Sequence, residues 1–264
     1  MDNKKIFGVI VVIVIIAIIG IAYSTGSIGS QSSNENGTVE VLAGAGFSEM
    51  GPDMIKEFNK KYPNVKVNVK YAGSGELYST LETQHQGDVF LPAAYKYMGK
   101  AMKNGYMENS TVKNVTTNVP VIVVQKGNPK NITSVKDLNR TDIKVGIGEE
   151  NGPAIGKTTA AIISKNNITG VNPAVKTTTV NQLLTYVVSG QVDVVIIWED
   201  MTVWNDTKDK IDVIEIPEKE NNISTIPIGV TKYGKNNTAA EKFTEFVVSD
   251  EGKEVWKKWG FEPL

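Results

Sequence analysis

The sequence predicts an α/β protein with two lobes, each built on a parallel-type sheet with helices on both faces. Strand-like and helix-like segments alternate along most of the 264 residues, a pattern typical of parallel sheets whose crossovers are helices. Two apolar strand patterns, at 119–124 and 225–230, can join the lobes and make the second an insertion in the first. Hydrophobic residues make up 41% of the chain, which suffices for a sizeable core.

The first lobe is predicted over residues 39–118 and 225–264. Apolar segments with β-branched residues or period-2 alternation predict strands at 38–46, 65–73, 88–93 and 225–232. Apolar residues spaced three and four apart predict helices at 54–63, 77–84 and 96–105, and two more helices after residue 238.

The second lobe is predicted over residues 119–224. Its apolar segments predict strands at 119–127, 143–148, 192–200 and 211–217. Helical spacing predicts helices at 156–166 and 180–190, and a short one within 128–139. Ligands of open parallel sheets bind at the carboxyl ends of the strands, so two facing lobes of this kind form a cleft that hinge closure can seal.

The first 24 residues are predicted to be a signal anchor or a signal peptide. Two lysines precede an apolar segment from Ile6 to Tyr23, whose 18 residues just reach the length that spans a bilayer. Lysines before the span favour a cytoplasmic N-terminus, which places the rest of the chain outside the cell. Residues 25–38 are rich in Gly, Ser and Asn and predict a flexible tether. We therefore expect a membrane-anchored extracellular domain, or a secreted or periplasmic one if the segment is cleaved.

The composition argues against several classes of function. The absence of cysteine excludes disulfides, thiolate metal sites and a lipid-modified cysteine anchor. With His85 as the single histidine, neither a histidine metal site nor a Ser-His-Asp triad is expected. The net charge of −1 comes without a basic face, which argues against nucleic acid. No nucleophile–base pair is visible, so we expect a binding protein rather than an enzyme. We also expect a monomer that holds no metal ion and no cofactor.

Acceptor sequons for N-glycosylation are frequent for a chain of this length. Nine Asn-x-Ser/Thr sequences occur, at Asn36, Asn109, Asn114, Asn131, Asn139, Asn167, Asn205, Asn222 and Asn236. On an exported, cysteine-free domain they predict a glycosylated cell-surface protein.

Four loops after predicted strands are candidates for holding a ligand. They are residues 43–49, 72–76, 149–157, and the helix start at Val180 together with 196–200. Helix N-termini carry unpaired N–H groups and partial positive charge, so such loops suit a small oxyanion. The alternative is that Ser48 and Ser74 only cap helices, each contributing about 1 kcal/mol. Glu149 and Glu150 would oppose an anion unless they point to solvent.

Several motifs resemble the molybdate/tungstate-binding proteins of ABC importers. They occur in the same order from about Val39 to Leu264, which makes the resemblance specific to the fold. The matching segments are VLAGAGFSEMGPDMIKEF, YAGSGELYSTLE, GDVFLPAAYKYMGKAMKNG, VPVIVVQKGNP, IKVGIG, GPAIGKTTA and FVVSDEGKEVWKKWGFEPL. The resemblance implies a class II, periplasmic-binding-protein-like fold that holds a dianion with hydroxyls and backbone N–H groups.

Position by position, the resemblance implies a set of ligand-binding residues. The hydroxyl donor falls on Ser74, backbone donors fall on Ala154 and Val180, and the tyrosine donor of the family is replaced by Trp198. Where the family usually has a first serine, this chain has Gly46, and Ser48 lies two residues further on. The expected set is Gly46, Ser48, Ser74, Gly75, Ala154, Val180 and Trp198.

The resemblance also implies partners, namely an ABC permease and its ATPase. Because Gly46 and Trp198 depart from the family pattern, another small anion such as sulfate, an organic phosphate or a carboxylate stays open as the ligand. A membrane-tethered sensor domain is the third alternative.

Overall fold

The computed structural model describes residues 36–264. The predictions for the N-terminal anchor and for most of the tether concern residues 1–35, which lie outside the described residues. Within residues 36–264, no helix combines the length and the apolar character that crossing a membrane requires.

Two five-stranded sheets organise the described residues. The first has the order β2-β1-β3-β10-β4 and the second the order β7-β6-β8-β5-β9. The strands of the first sheet are β1 (Gly37–Gly44), β2 (Val65–Ala72), β3 (Val89–Leu91), β4 (Lys113–Asn118) and β10 (Ser224–Val230). Those of the second are β5 (Pro120–Gln125), β6 (Val145–Gly148), β7 (Pro173–Thr177), β8 (Val194–Trp198) and β9 (Ile211–Glu215). We call each sheet with its helices a lobe.

Helices cover the sheets. Lobe 1 carries α1 (Gly51–Lys61), α2 (Ser74–Ser79), α3 (Tyr95–Lys103), α6 (Thr238–Val247) and α7 (Asp250–Lys258), and lobe 2 carries α4 (Ala154–Lys165) and α5 (Val180–Val188). A π-helical turn, Thr80–Gln84, continues α2, and 3₁₀ turns occur at Ala45–Phe47, Asn109–Thr111, Val135–Asn139, Glu199–Val203 and Lys208–Lys210.

The two-sheet α/β architecture is as predicted, but the sheets are mixed rather than parallel. In lobe 1, β1 pairs in parallel with β2 and β3, whereas β10 is antiparallel to β3 and β4. In lobe 2, β6 is parallel to β7 and β8, whereas β5 is antiparallel to β8 and β9. The strands with antiparallel neighbours flank the two connections between the lobes, which join β4 to β5 and β9 to β10.

The sequence patterns do not predict two of the strands. Both β4 and β7 lie at the edge of a sheet, and both are polar, with the sequences KNVTTN and PAVKT. An edge strand with one solvated face has no continuous apolar pattern, and a leading proline is tolerated there because it donates no ladder hydrogen bond.

The chain passes between the lobes twice. β4 ends at Asn118 in the first sheet and β5 begins at Pro120 in the second, while the return runs from β9 to β10. The carboxyl ends of β1, β2 and β3 therefore face those of β6, β7 and β8 across a cleft. The division of the chain into a first lobe of residues 39–118 and 225–264 and a second of residues 119–224 stays a prediction.

Candidate functional site

The lobes meet where the Gly73–Gly75 loop of lobe 1 lies against lobe 2. The N–H of Gly75 donates to the carbonyl of Gly152 at 2.8 Å. A Cβ on Gly75 would overlap the carbonyl oxygen of Asn151, and one on Gly73 would lie 2.6 Å from the carbonyl oxygen of Thr178. Glycine is thus required here because two backbones approach each other closely. Because the N–H of Gly75 already donates to a carbonyl of the other lobe, it is not a free donor for a ligand in this arrangement of the lobes.

Ser74 sits at the centre of this contact and is only 1% exposed. Its Oγ accepts a hydrogen bond from the N–H of Ala93 at 3.2 Å. The hydroxyl proton has no acceptor within residues 36–264, although a serine hydroxyl is a donor as well as an acceptor. The helix-cap alternative is wrong for Ser74, because α2 begins at this residue and its cap, Gly73, makes no side-chain bond. A buried, oriented donor is therefore available to a ligand.

Ser48 also connects the lobes rather than capping a helix. Its Oγ accepts from Nδ2 of Asn181, the second residue of α5, at 3.2 Å. The cap position of α1 is Met50, so the capping alternative is wrong for Ser48 as well. The hydroxyl lies at the edge of the same cleft and helps to hold the lobes together.

Gly46 faces three side chains of lobe 2. A Cβ on Gly46 would lie 3.6 Å from Cγ1 of Val180, 3.7 Å from Cδ1 of Trp198 and 3.7 Å from Sδ of Met201. Cδ1 belongs to the five-membered ring that carries the indole nitrogen, so this ring is the part of Trp198 next to Gly46. Trp198 itself is 2% exposed, so it is a core side chain and a cleft residue at once.

Two helices of lobe 2 begin at the cleft. α4 starts at Ala154 and α5 at Val180, and both residues are buried. Pro153, the residue before α4, offers no side-chain cap, whereas Thr179 and Gln182 form a capping box at the start of α5. The first N–H groups of a helix have no intrahelical acceptor and carry partial positive charge, so both starts favour an anion.

Acidic groups lie at the back of the cleft, where the chain crosses between the lobes. A cavity of about 230 Å³ is lined by Asn118, Glu199, Asp200 and Glu262, together with Thr117, Val119, Gly260 and Phe261. Burial raises the pKa of Asp200 well above its usual range, and the charge of Glu199 adds to this effect. Burial also raises the pKa of Glu199. Glu149 and Glu150 are exposed, which agrees with the alternative that their carboxylates point to solvent.

We expect Asp200→Asn to change how stability depends on pH. Above its ordinary pKa of 3.8, the unfolded chain loses the Asp200 proton while the folded chain keeps it, so this group lowers stability as pH rises. The variant should therefore gain most over the wild type at pH 8 and least at pH 4. Urea unfolding across this range measures the difference. Asp206→Asn, which changes an exposed carboxylate, is the control, and a pH-independent difference for Asp200→Asn would contradict the expectation.

The structure brings the predicted residues together and adds others. Gly46, Val180 and Trp198 are in one cluster, and the Ser74 loop packs against the turn that leads into Ala154. Met201, Asn181 and Gly152 were not singled out from the sequence. Of these three, only Gly152 has a sequence signal, since it lies in the glycine-containing loop 149–157, and that signal could have indicated its close backbone contact with Gly75.

A two-lobe α/β fold with hydroxyl and backbone donors converging on the cleft defines a solute-binding protein. A family model described as bacterial extracellular solute-binding protein matches residues 39–262. The chain therefore belongs to that family of extracellular solute-binding proteins. This confirms the resemblance found in the sequence.

Several similar proteins have names that mention molybdate, molybdenum or sulfate. The molybdate-binding protein ModA of Mycobacterium bovis is 28% identical over 224 residues, which cover 85% of this chain and 84% of that protein. A substrate-binding domain attributed to a molybdenum ABC transporter of Clostridium difficile has a TM-score of 0.64 and 28% identity, over 87% of this chain and 100% of that one. The sulfate-binding protein SubI of Mycobacterium tuberculosis has a TM-score of 0.76 and 18% identity, over 87% and 88%, and shows the fold alone.

Proposed function

We propose that the protein captures a molybdate- or tungstate-type oxyanion in the cleft and delivers it to an ABC permease driven by its ATPase. The observation that carries the proposal is the buried hydroxyl of Ser74, which is fixed by Ala93 and keeps its proton available. The loops leading into α4 and α5 pack on either side of it through Gly152 and Thr178. Neutral donors and helix N-termini can hold a dianion without a formal cation.

The test is calorimetric titration of residues 36–264 with molybdate, tungstate and sulfate in turn. Binding of the first two with sulfate rejected is the expected result. The absence of binding by molybdate and tungstate at millimolar concentration would reject the proposal. Binding of sulfate instead, or of an organic phosphate or a carboxylate in a further titration, would assign the cleft to that second class of anion, for which the departures at Gly46 and Trp198 are the motive.

The proposal includes delivery at the membrane surface through the N-terminal segment and a short tether. A tethered sensor would bind the same anion without a transporter. Uptake of the anion by cells that lack this chain separates the two, because only the transport function predicts loss of uptake.

Gly46 allows a direct test of the anion's position. A Cβ there meets only ordinary contacts of 3.6–3.7 Å, so Gly46→Ser adds its Cβ without displacing the neighbours and brings a hydroxyl to this part of the cleft. A tetrahedral oxyanion beside Gly46 should gain a hydrogen bond, and binding should tighten by about 1 kcal/mol, or roughly fivefold. Gly46→Ala adds the same Cβ without the hydroxyl and is the matched control. Calorimetry measures both, and equal affinities of Gly46→Ser and Gly46→Ala would contradict a hydrogen bond to the anion at this position.

A further inference from the structure

Three lysines lie on two helices, one from each lobe, that approach each other beside the cleft. Nζ of Lys157, on α4, lies 5.5 Å from the ring centroid of Tyr97, on α3. Lys96 and Lys100 lie on the same helix as Tyr97, one residue before it and three after it, so Lys100 shares its helical face. We call Lys96, Lys100 and Lys157 the lysine mouth.

The lysine mouth lies close to the candidate site. Lys157 is three residues beyond Ala154 on α4, so the two residues share a helical face and are about 5 Å apart along the axis. On the other side, α3 begins two residues after Ala93, whose N–H is bonded to Ser74. The helices that carry the three lysines are therefore the ones that begin at or next to the residues of the candidate site.

The three charges are not neutralised by ion pairs. Among the described residues, none of the three lysines lies within salt-bridge distance of a carboxylate, unlike Lys126, Lys258 and others. Lys100 lies over the ring of Tyr78 at 3.9 Å, and the Lys157–Tyr97 contact crosses the cleft. Half-burial lowers the pKa of Lys157, and the charges of Lys96 and Lys100 lower it further, while Glu150 acts in the opposite direction.

We propose that the lysine mouth attracts anions to the cleft by long-range electrostatic attraction. This inference rests on the proposed function. Cations arranged along the entrance of a cleft raise the association rate of an anion through long-range attraction, and salt screens that attraction. Because the buried donors of the site are neutral, the mouth supplies the positive field that they lack at long range.

The test compares two double variants with the same change in charge. Lys96→Gln with Lys157→Gln removes one lysine of the mouth from each lobe. Lys66→Gln with Lys136→Gln removes one exposed lysine from each lobe, at the opposite ends of the sheets from the cleft. Association of molybdate, tungstate or sulfate is followed by stopped-flow tryptophan fluorescence of the full chain in phosphatidylcholine nanodiscs, at low and high ionic strength.

We expect the mouth variant to associate about three- to tenfold more slowly than the wild type at low ionic strength, with the difference fading at about 0.5 M salt. The control variant should stay within about twofold of the wild type. Equal slowing in both variants, no slowing, or slowing that salt does not reduce would overturn the inference while leaving the proposed function intact. If the wild type binds none of the three anions, both fail.

A separate observation concerns the nine sequons. Within residues 36–264 every sequon asparagine is exposed, whereas only four of the twelve other asparagines are. None of the nine lies in the loops that form the cleft, and Asn36, Asn139 and Asn167 lie in segments that lead into the amino ends of β1, β6 and β7. The four exposed asparagines outside sequons are Asn64, Asn104, Asn151 and Asn172.

We infer that sequon asparagines carry N-linked glycans on the outer surface of the protein. In the transfer, the Asn amide nitrogen bonds to C1 of a glycan held by a lipid-phosphate donor. The bond from C1 to the phosphate oxygen breaks, the lipid phosphate leaves, and the amide loses a proton. Only exposed asparagines can reach such a donor in the folded chain, and a hydrophilic glycan is tolerated there.

Peptide mass spectrometry of the full chain purified from its native cells tests this inference. Glycan mass should be found on peptides with sequon asparagines and be absent from those with Asn64, Asn104, Asn151 and Asn172. Unmodified sequons throughout, or equal modification of the four control positions, would overturn it.

Discussion

Gly75→Ala is expected to reduce anion affinity strongly. Any Cβ at this position would overlap the carbonyl oxygen of Asn151 and lie 2.8 Å from that of Gly152, so the lobes cannot approach as they do here. Overpacking of this kind costs about 1–3 kcal/mol, or roughly five- to 150-fold in the dissociation constant. Calorimetric titration with molybdate or tungstate measures the loss.

The matched control is Gly99→Ala, inside α3. A Cβ there has Tyr95 Cε1, at 3.9 Å, as its nearest neighbour, so it fits without strain. Alanine should stabilise the helix by about 1 kcal/mol and leave affinity unchanged. Because the Gly75 clash arises between lobes, Gly75→Ala should unfold near the wild-type temperature without ligand but lose the shift that ligand causes. Wild-type affinity in Gly75→Ala would mean that the anion binds without this contact.

The sequence predicted the elements that carry the site because their strands are buried on both faces. β8 is a continuous apolar segment and β1 is apolar and buried over its last four residues, where it reaches the cleft, and the helices after β6 and β7 begin at small or capping residues. The residues that those strands and helix starts present to the cleft could therefore be named in advance. Family resemblance then selected among them, which spacing alone could not do.

What the sequence did not provide are contacts between segments far apart in the chain. The loop 72–76 is predicted from the sequence as one that suits an anion, and the structure adds a contact between the N–H of its Gly75 and the carbonyl of Gly152 in the other lobe. Likewise, Ser48 meets Asn181, and Met201 faces Gly46 from a 3₁₀ turn without any pattern. Such contacts depend on how the lobes dock, and local periodicity does not encode that arrangement.

The contact between Gly75 and Gly152 makes Ser74 the decisive residue of the loop. If Gly73 and Gly75 serve the contact between lobes, the argument for an anion rests on the hydroxyl between them. That hydroxyl is 1% exposed, accepts from Ala93 and still has a proton to donate. A buried donor without an acceptor is costly in a protein interior, and a ligand oxygen would satisfy it.

We therefore expect Ser74→Ala to weaken binding by about 1–3 kcal/mol, or roughly five- to 150-fold, because the bound anion loses one donor in a buried site. Thr244→Val is the control, since it removes another buried hydroxyl, whose oxygen has no partner, from α6 in the same lobe. It should leave the affinity for the anion unchanged in the calorimetric titration. Equal affinity of Ser74→Ala and the wild type would restrict Ser74 to holding the Ala93 loop in place, and the anion would then depend on the starts of α4 and α5 alone.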